Sequence, residues 1–114
     1  MNVESISPIL SVESIPRSLE FYVGVLGFEK AEWGDDDFTG VSRDGSTILL
    51  RRNEDEPERG RIYLAVDDAR ALHERLSGDS VKIVMGPTAR PYGLEITVED
   101  PDGNILRFGS EPEE

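Results

Sequence analysis

The chain has 114 residues, 24 acidic and 12 basic, with a formal net charge of −12. That length fits one domain able to bury roughly two thirds of its unfolded surface. The acidic balance excludes nucleic acid and anionic membranes as partners, because both need a basic footprint. With no cysteine, disulfides, thiolate nucleophiles, zinc ribbons and iron–sulfur clusters are excluded as well. No run approaches the roughly 20 apolar residues of a membrane span. Met1-Asn2-Val3-Glu4 lacks the basic and apolar regions of a signal peptide. The expectation is a soluble, cytoplasmic protein.

Residues 5–13 read as a strand, with Ile6, Pro8, Leu10 and Val12 alternating with mostly polar neighbours. Pro8 cannot donate to a ladder, so the strand belongs at an edge or crosses between units. Ser14 is the expected N-cap of a helix that carries Pro16 in its first turn and runs to about Leu26. Ile15, Leu19, Tyr22, Val23 and Leu26 form its apolar stripe, widened by Phe21 and Val25, and Gly27 closes it. Residues 28–33 read as a strand, interrupted by Asp35-Asp36-Asp37 and resumed over 38–42. Asp44-Gly45 is a hairpin signal leading into a strand over 47–51. Residues 53–60 hold four acids and a proline and read as an exposed connector.

The pattern then recurs. Residues 61–66 read as a strand, and Asp67 or Asp68 caps a helix over 69–76 with Ala69, Leu72 and Leu76 on one face. Gly78 closes the helix, 81–85 is a strand, 86–93 a loop or flap, and 94–98 a strand with Leu94, Ile96 and Val98 inward. Asp102-Gly103 turns the chain into a last strand over 105–108. From cap to turn the first half spans 30 residues (Ser14 to Asp44) and the second 34 (Asp68 to Asp102). Two halves in the same order are an internal repeat. One helix per half covers one face of its sheet and leaves the other face for a partner or a cleft.

The repeat and its residues resemble the vicinal-oxygen-chelate superfamily of glyoxalase I, extradiol dioxygenases, fosfomycin-resistance transferases and bleomycin-resistance proteins. The residues that carry the resemblance are Ser18-Leu19-Glu20-Phe21-Tyr22-Val23-Gly24-Val25-Leu26-Gly27-Phe28, then Val66-Asp67-Asp68, then Asp100-Pro101-Asp102-Gly103-Asn104. It implies an α+β fold of two βαβββ modules forming a cupped mixed sheet. The whole chain, 1–114, would be one domain, with module one over 5–53 and module two over 60–110. In metal-dependent members, ligands occupy positions that fall here on Ser7, near residues 49–51, on Arg61 and on Arg107. None of these is a competent ligand, and two are permanent cations. The only histidine, His73, lies on the second helix and reads as a half-buried residue with its polar tip in water. The resemblance therefore implies no metal and no cofactor.

Within the superfamily the likeness is greatest to the bleomycin-resistance proteins, which sequester the drug without catalysis. It runs through Ser7-Pro8-Ile9-Leu10, Asp36-Asp37-Phe38-Thr39-Gly40-Val41, Gly86-Pro87-Thr88 and Pro91-Tyr92-Gly93-Leu94-Glu95. It implies a homodimer whose N-terminal strand is exchanged near Pro8, with a ligand cleft between subunits. The expected ligand is a small cationic or aromatic molecule. The expected walls are Trp33, Phe38, Tyr63 and Tyr92, with Asp35, Asp36 and Asp37 at the rim. Aromatic faces beside carboxylates suit flat cations. Arg61 and Arg107 either bind an anion or pair with Glu95 and Glu99. A glyoxalase- or dioxygenase-type enzyme with an atypical site is the alternative, although the ligand inventory leans against catalysis.

Overall fold

The computed structural model describes residues 1–53 and 58–113. The chain divides into two compact units, Met1–Gly60 and Arg61–Glu114. Each unit builds its own four-stranded mixed sheet in the order strand–helix–strand–strand–strand, so the architecture is α+β.

Unit 1 contains β1 (Ile9–Val12), α1 (Ile15–Leu19), a π-helical continuation over Glu20–Val25, β2 (Glu29–Lys30), β3 (Phe38–Arg43) and β4 (Ser46–Arg52). The sheet order is β1-β4-β3-β2, with β1 parallel to β4 and the other pairs antiparallel. β1 is an edge strand and starts only after Pro8. The Pro8 carbonyl still accepts from the Leu49 amide at 2.9 Å. Ile6 lies outside the strand and is exposed, while Leu10 and Val12 are buried.

The first helix begins at the expected cap. The Ser14 hydroxyl accepts from the Arg17 amide, and Pro16 sits in the first turn. Its second half departs from the expected 3.6-residue period. The Leu26 amide donates to the Phe21 carbonyl at 3.0 Å, a five-residue step. That wider turn buries Phe21, Tyr22 and Leu26 together and turns Val23 outward. Tyr22 stands edge-on to both Phe21 and Phe28. Gly27 takes a φ of +80°. Arg43 donates through Nη1 to the carbonyls of Leu26 and Gly27, each at 3.1 Å. A guanidinium thereby closes the C-terminal end of this helix, where carbonyl oxygens lack intrahelical donors.

The strand expected over 28–33 shrinks to Glu29–Lys30, since the chain turns into the acidic loop after Ala31. The Asp44-Gly45 hairpin forms with both residues at positive φ (50° and 83°). Of the connector expected over 53–60, residues 54–57 lie outside the described residues.

Unit 2 contains β5 (Arg61–Ala65), α2 (Ala69–Ser77), β6 (Lys82–Arg90), β7 (Gly93–Glu99) and β8 (Ile105–Ser110). Its sheet order is β5-β8-β7-β6, with β5 parallel to β8, which reproduces the topology of unit 1. Asp68 is the cap, accepting from the Ala71 amide at 3.0 Å. Ala69 and Leu76 bury against the sheet. No flap forms over 86–93. β6 continues through Gly86-Pro87 to Arg90 by shifting register between Met85 and Thr88, and Pro91-Tyr92 makes a tight two-residue turn. A bulge accommodates a proline that a regular ladder would reject. The Asp-Pro-Asp-Gly-Asn turn is held by the buried carboxylate of Asp100. It accepts from the amides of Asp102 and Asn104 and from Asn104 Nδ2, at 2.8–2.9 Å.

Candidate functional site

In unit 1 the residues Trp33 to Phe38 form one tightly specified loop. Gly34 has a φ of +107°, and a Cβ there would stand 2.6 Å from the Phe38 carbonyl and 2.7 Å from Thr39 Oγ1. The Asp35 amide donates to that same carbonyl at 3.0 Å. Asp35 Oδ1 accepts from the amides of Asp37 (2.8 Å) and Phe38 (3.0 Å). Those two amides hold its carboxyl below the usual carboxylate range. Thr39 Oγ1 donates to the Trp33 carbonyl at 3.1 Å. Asp37 pairs with Arg52 Nη2 at 2.8 Å.

The loop fixes the rings of Trp33 and Phe38 5.7 Å apart at 39°. Trp33 is 48% exposed. Its indole lies against Gly40, where a Cβ would come within 3.2 Å of Cζ2. The three aspartates thus differ in use. Asp35 shapes the loop, Asp37 is tied to Arg52, and Asp36 extends into solvent with no bond to a described residue. Gly34→Ala is expected to combine a forbidden φ with a backbone collision, costing about 1–3 kcal/mol. A lowered denaturation midpoint together with altered Trp33 emission would verify it.

Unit 2 holds a second cluster. β7 is buried on both faces, with Leu94, Ile96 and Val98 on one and Glu95 and Thr97 on the other. The Glu95 side chain is 0% exposed and accepts from Arg107 Nη2 at 2.9 and 3.1 Å. Arg90 Nε stands 3.5 Å away. The hydrogen bond from Arg107 holds the Glu95 carboxyl below the usual carboxylate range, against the opposing effect of burial and with help from Tyr92. Arg107 Nη2 also donates to the Tyr92 hydroxyl at 3.4 Å, and its guanidinium carbon lies 5.9 Å from the Tyr63 ring centre. Tyr63 and Tyr92 remain 53% and 59% exposed.

Arg107 therefore pairs with Glu95, whereas Glu99 is held by Lys82 at 2.8 Å. Arg61 takes neither acid among the described residues. Sequence reasoning missed that Glu95 is the buried centre of the cluster and that Arg90 joins it. The only available signal was a charged residue alternating with three apolar ones along a strand. Among the described residues no three His, Asp or Glu side chains converge on a metal-sized point. With Ser7, Arg61 and Arg107 at the ligand positions the resemblance implies, these residues do not fit a metal.

Twin βαβββ units with parallel first and last strands define a paired-module class of fold. The family match specifies it: residues 5–108 match the Glyoxalase/Bleomycin resistance protein/Dioxygenase superfamily, and the chain belongs to that superfamily. The bleomycin-binding protein of bleomycin-producing Streptomyces verticillus, solved with copper(II)-bleomycin, is 30% identical. It matches with a TM-score of 0.74, covering 100% of this chain and 99% of that one. TioX from Micromonospora sp. ML1 (18% identity, TM-score 0.81, 96% and 99% covered) shares the fold. So does virulence protein STM3117 from Salmonella typhimurium (21% identity, TM-score 0.80, 97% and 99% covered). No curated protein sequence matches the chain. Among the described residues no helix is long and apolar enough to cross a membrane.

Proposed function

We propose that this chain is a non-catalytic, cytoplasmic binding protein that sequesters a small cationic or aromatic molecule in the manner of the bleomycin-resistance proteins. The observation that carries this reading is the Trp33–Phe38 pair, whose indole is half exposed on a loop that sets Asp36, unpaired among the described residues, beside it. A rigid, half-exposed indole has little ordering entropy left to lose when a flat ligand stacks on it. Asp36 adds a negative field that speeds the approach of a cation, whereas the charge of Asp37 is met by Arg52. The likeness to a bleomycin-binding protein at 30% identity supports the same class of ligand. In this reading 1–114 acts as a single domain with its cleft at a homodimer interface.

Exchange of the N-terminal strand near Pro8 is part of the proposal. It is supported by the exposed Val3 and Ile6 ahead of the edge strand β1. Sedimentation at micromolar concentration should give a species of twice 12.7 kDa; a monomer would count against the interface cleft.

The direct test is a fluorescence titration of Trp33 with bleomycin-type glycopeptides and other cationic antibiotics. Saturable quenching or enhancement is expected. Turnover of a hemithioacetal or a catechol by the same preparation would favour the enzyme alternative. The dialysed protein is expected to carry no stoichiometric zinc, nickel, iron or manganese. Elemental analysis finding near one metal per chain, lost with stability on chelation, would overturn that expectation.

A further inference from the structure

The chain is strongly acidic, with a formal net charge of −12, yet one cluster in unit 2 gathers more cations than acids. That cluster sets one buried carboxylate, Glu95, against two guanidinium groups, Arg90 and Arg107, which are 40% and 41% exposed. One acid balances one of the two cations, so the cluster keeps a surplus positive charge. Arg107 spends only Nη2 on Glu95 and Tyr92. Its Nη1 and Nε donate to no described residue. The Glu95 bonds fix the guanidinium, and the Tyr63 ring lies beside it. A cation already immobilised by a buried partner loses little side-chain freedom when it meets a second acceptor.

We propose that this face of unit 2 is an oxyanion site that takes the carboxylate or phosphate of a planar ligand. Arg107 supplies the oriented donors, Arg90 the surplus charge, and the exposed surfaces of Tyr63 and Tyr92 the flanking apolar contact. Glu95 is a positioning residue, out of the ligand's reach, that holds Arg107 in place. Such a site selects for the opposite charge to the Trp33–Phe38 patch. The inference goes beyond the proposed function and uses different residues.

The test is an NMR titration of the full chain at low ionic strength with sodium benzoate, phenyl phosphate and benzylamine. The two acids distinguish a carboxylate from a phosphate preference, and benzylamine is the charge control. At least one acid should shift the Arg107 Nε–H and the Tyr63 and Tyr92 ring signals saturably, and benzylamine should not. Arg107→Gln with Glu95→Gln keeps a neutral hydrogen-bonded pair and avoids a stranded charge. It should weaken acid binding roughly tenfold or more. Should that double variant fail to fold, Arg107→Lys keeps the charge, loses the planar donors and should weaken binding several-fold. Phe38→Ala should leave acid affinity unchanged, which keeps this proposal separable from the reading of unit 1. Absence of saturable binding by either acid, an equal shift of the Arg107 Nε–H by benzylamine, unchanged affinity in a folded Arg107 variant, or dependence on Phe38 would each overturn it.

Discussion

Phe38→Ala should weaken binding of a planar cationic ligand by roughly 5- to 30-fold. The figure follows from a desolvated cation–π contact worth about 1–2 kcal/mol. Phe38 acts twice in this account. Its own face meets the ligand, and its ring lies 5.7 Å from that of Trp33 and confines it. Truncation therefore removes one contact and loosens another. Asp36→Asn should weaken binding only modestly, through association rate, and the difference should fade at high salt because an exposed charge is screened. Titrations of both variants at low and high ionic strength measure the contrast. If Asp36→Asn cost more than Phe38→Ala, charge rather than stacking would set the affinity.

Arg107→Ala should destabilise the fold more than loss of any exposed ion pair, lowering the thermal midpoint at neutral pH by several degrees. In the intact protein the folded-state pKa of Glu95 is lowered, chiefly by its bond from Arg107. The pair's stabilisation is therefore present above the unfolded carboxylate value and is lost as pH falls through the lower folded value. Without Arg107 the carboxyl remains buried, with Arg90 Nε 3.5 Å away as the nearer remaining cation. Burial then pushes its pKa up, and protonation relieves the cost. The variant should recover part of its deficit on acidification from pH 7 toward about pH 4, where Glu ordinarily titrates. Glu95→Gln should flatten this pH dependence. Denaturation midpoints at the two pH values decide it. A deficit that grew on acidification would contradict the assignment.

Much of the fold was legible because its signals are local. The Ser14 cap, the Asp44-Gly45 hairpin, the Asp68 cap and the Asp100 turn each write a short-range hydrogen bond into residue type and spacing. The repeat of those signals exposed the doubled topology. What failed was what depends on partners distant in sequence. The π turn after Leu19 arises because Phe21, Tyr22 and Leu26 must all reach the core, which a 3.6-residue stripe does not anticipate. Gly86-Pro87 read as a strand end because its bulge is visible only once β7 supplies the ladder. The aromatics and acids of the unit 1 loop were identified by type, but their division of labour rests on backbone amides and on Arg52. The pairing of Glu95 with Arg107 is among the sequence expectations, but its complete burial is not, because that depends on how β7 packs against strands distant in sequence.

In the proposed function Trp33 and Phe38 receive the ligand. The most direct measurement is the map of backbone amide shifts on titrating the isotope-labelled protein with bleomycin. Saturable perturbations should centre on residues 33–39 and should collapse in Phe38→Ala. An unperturbed spectrum in excess bleomycin, or shifts confined to residues outside these, would contradict the account.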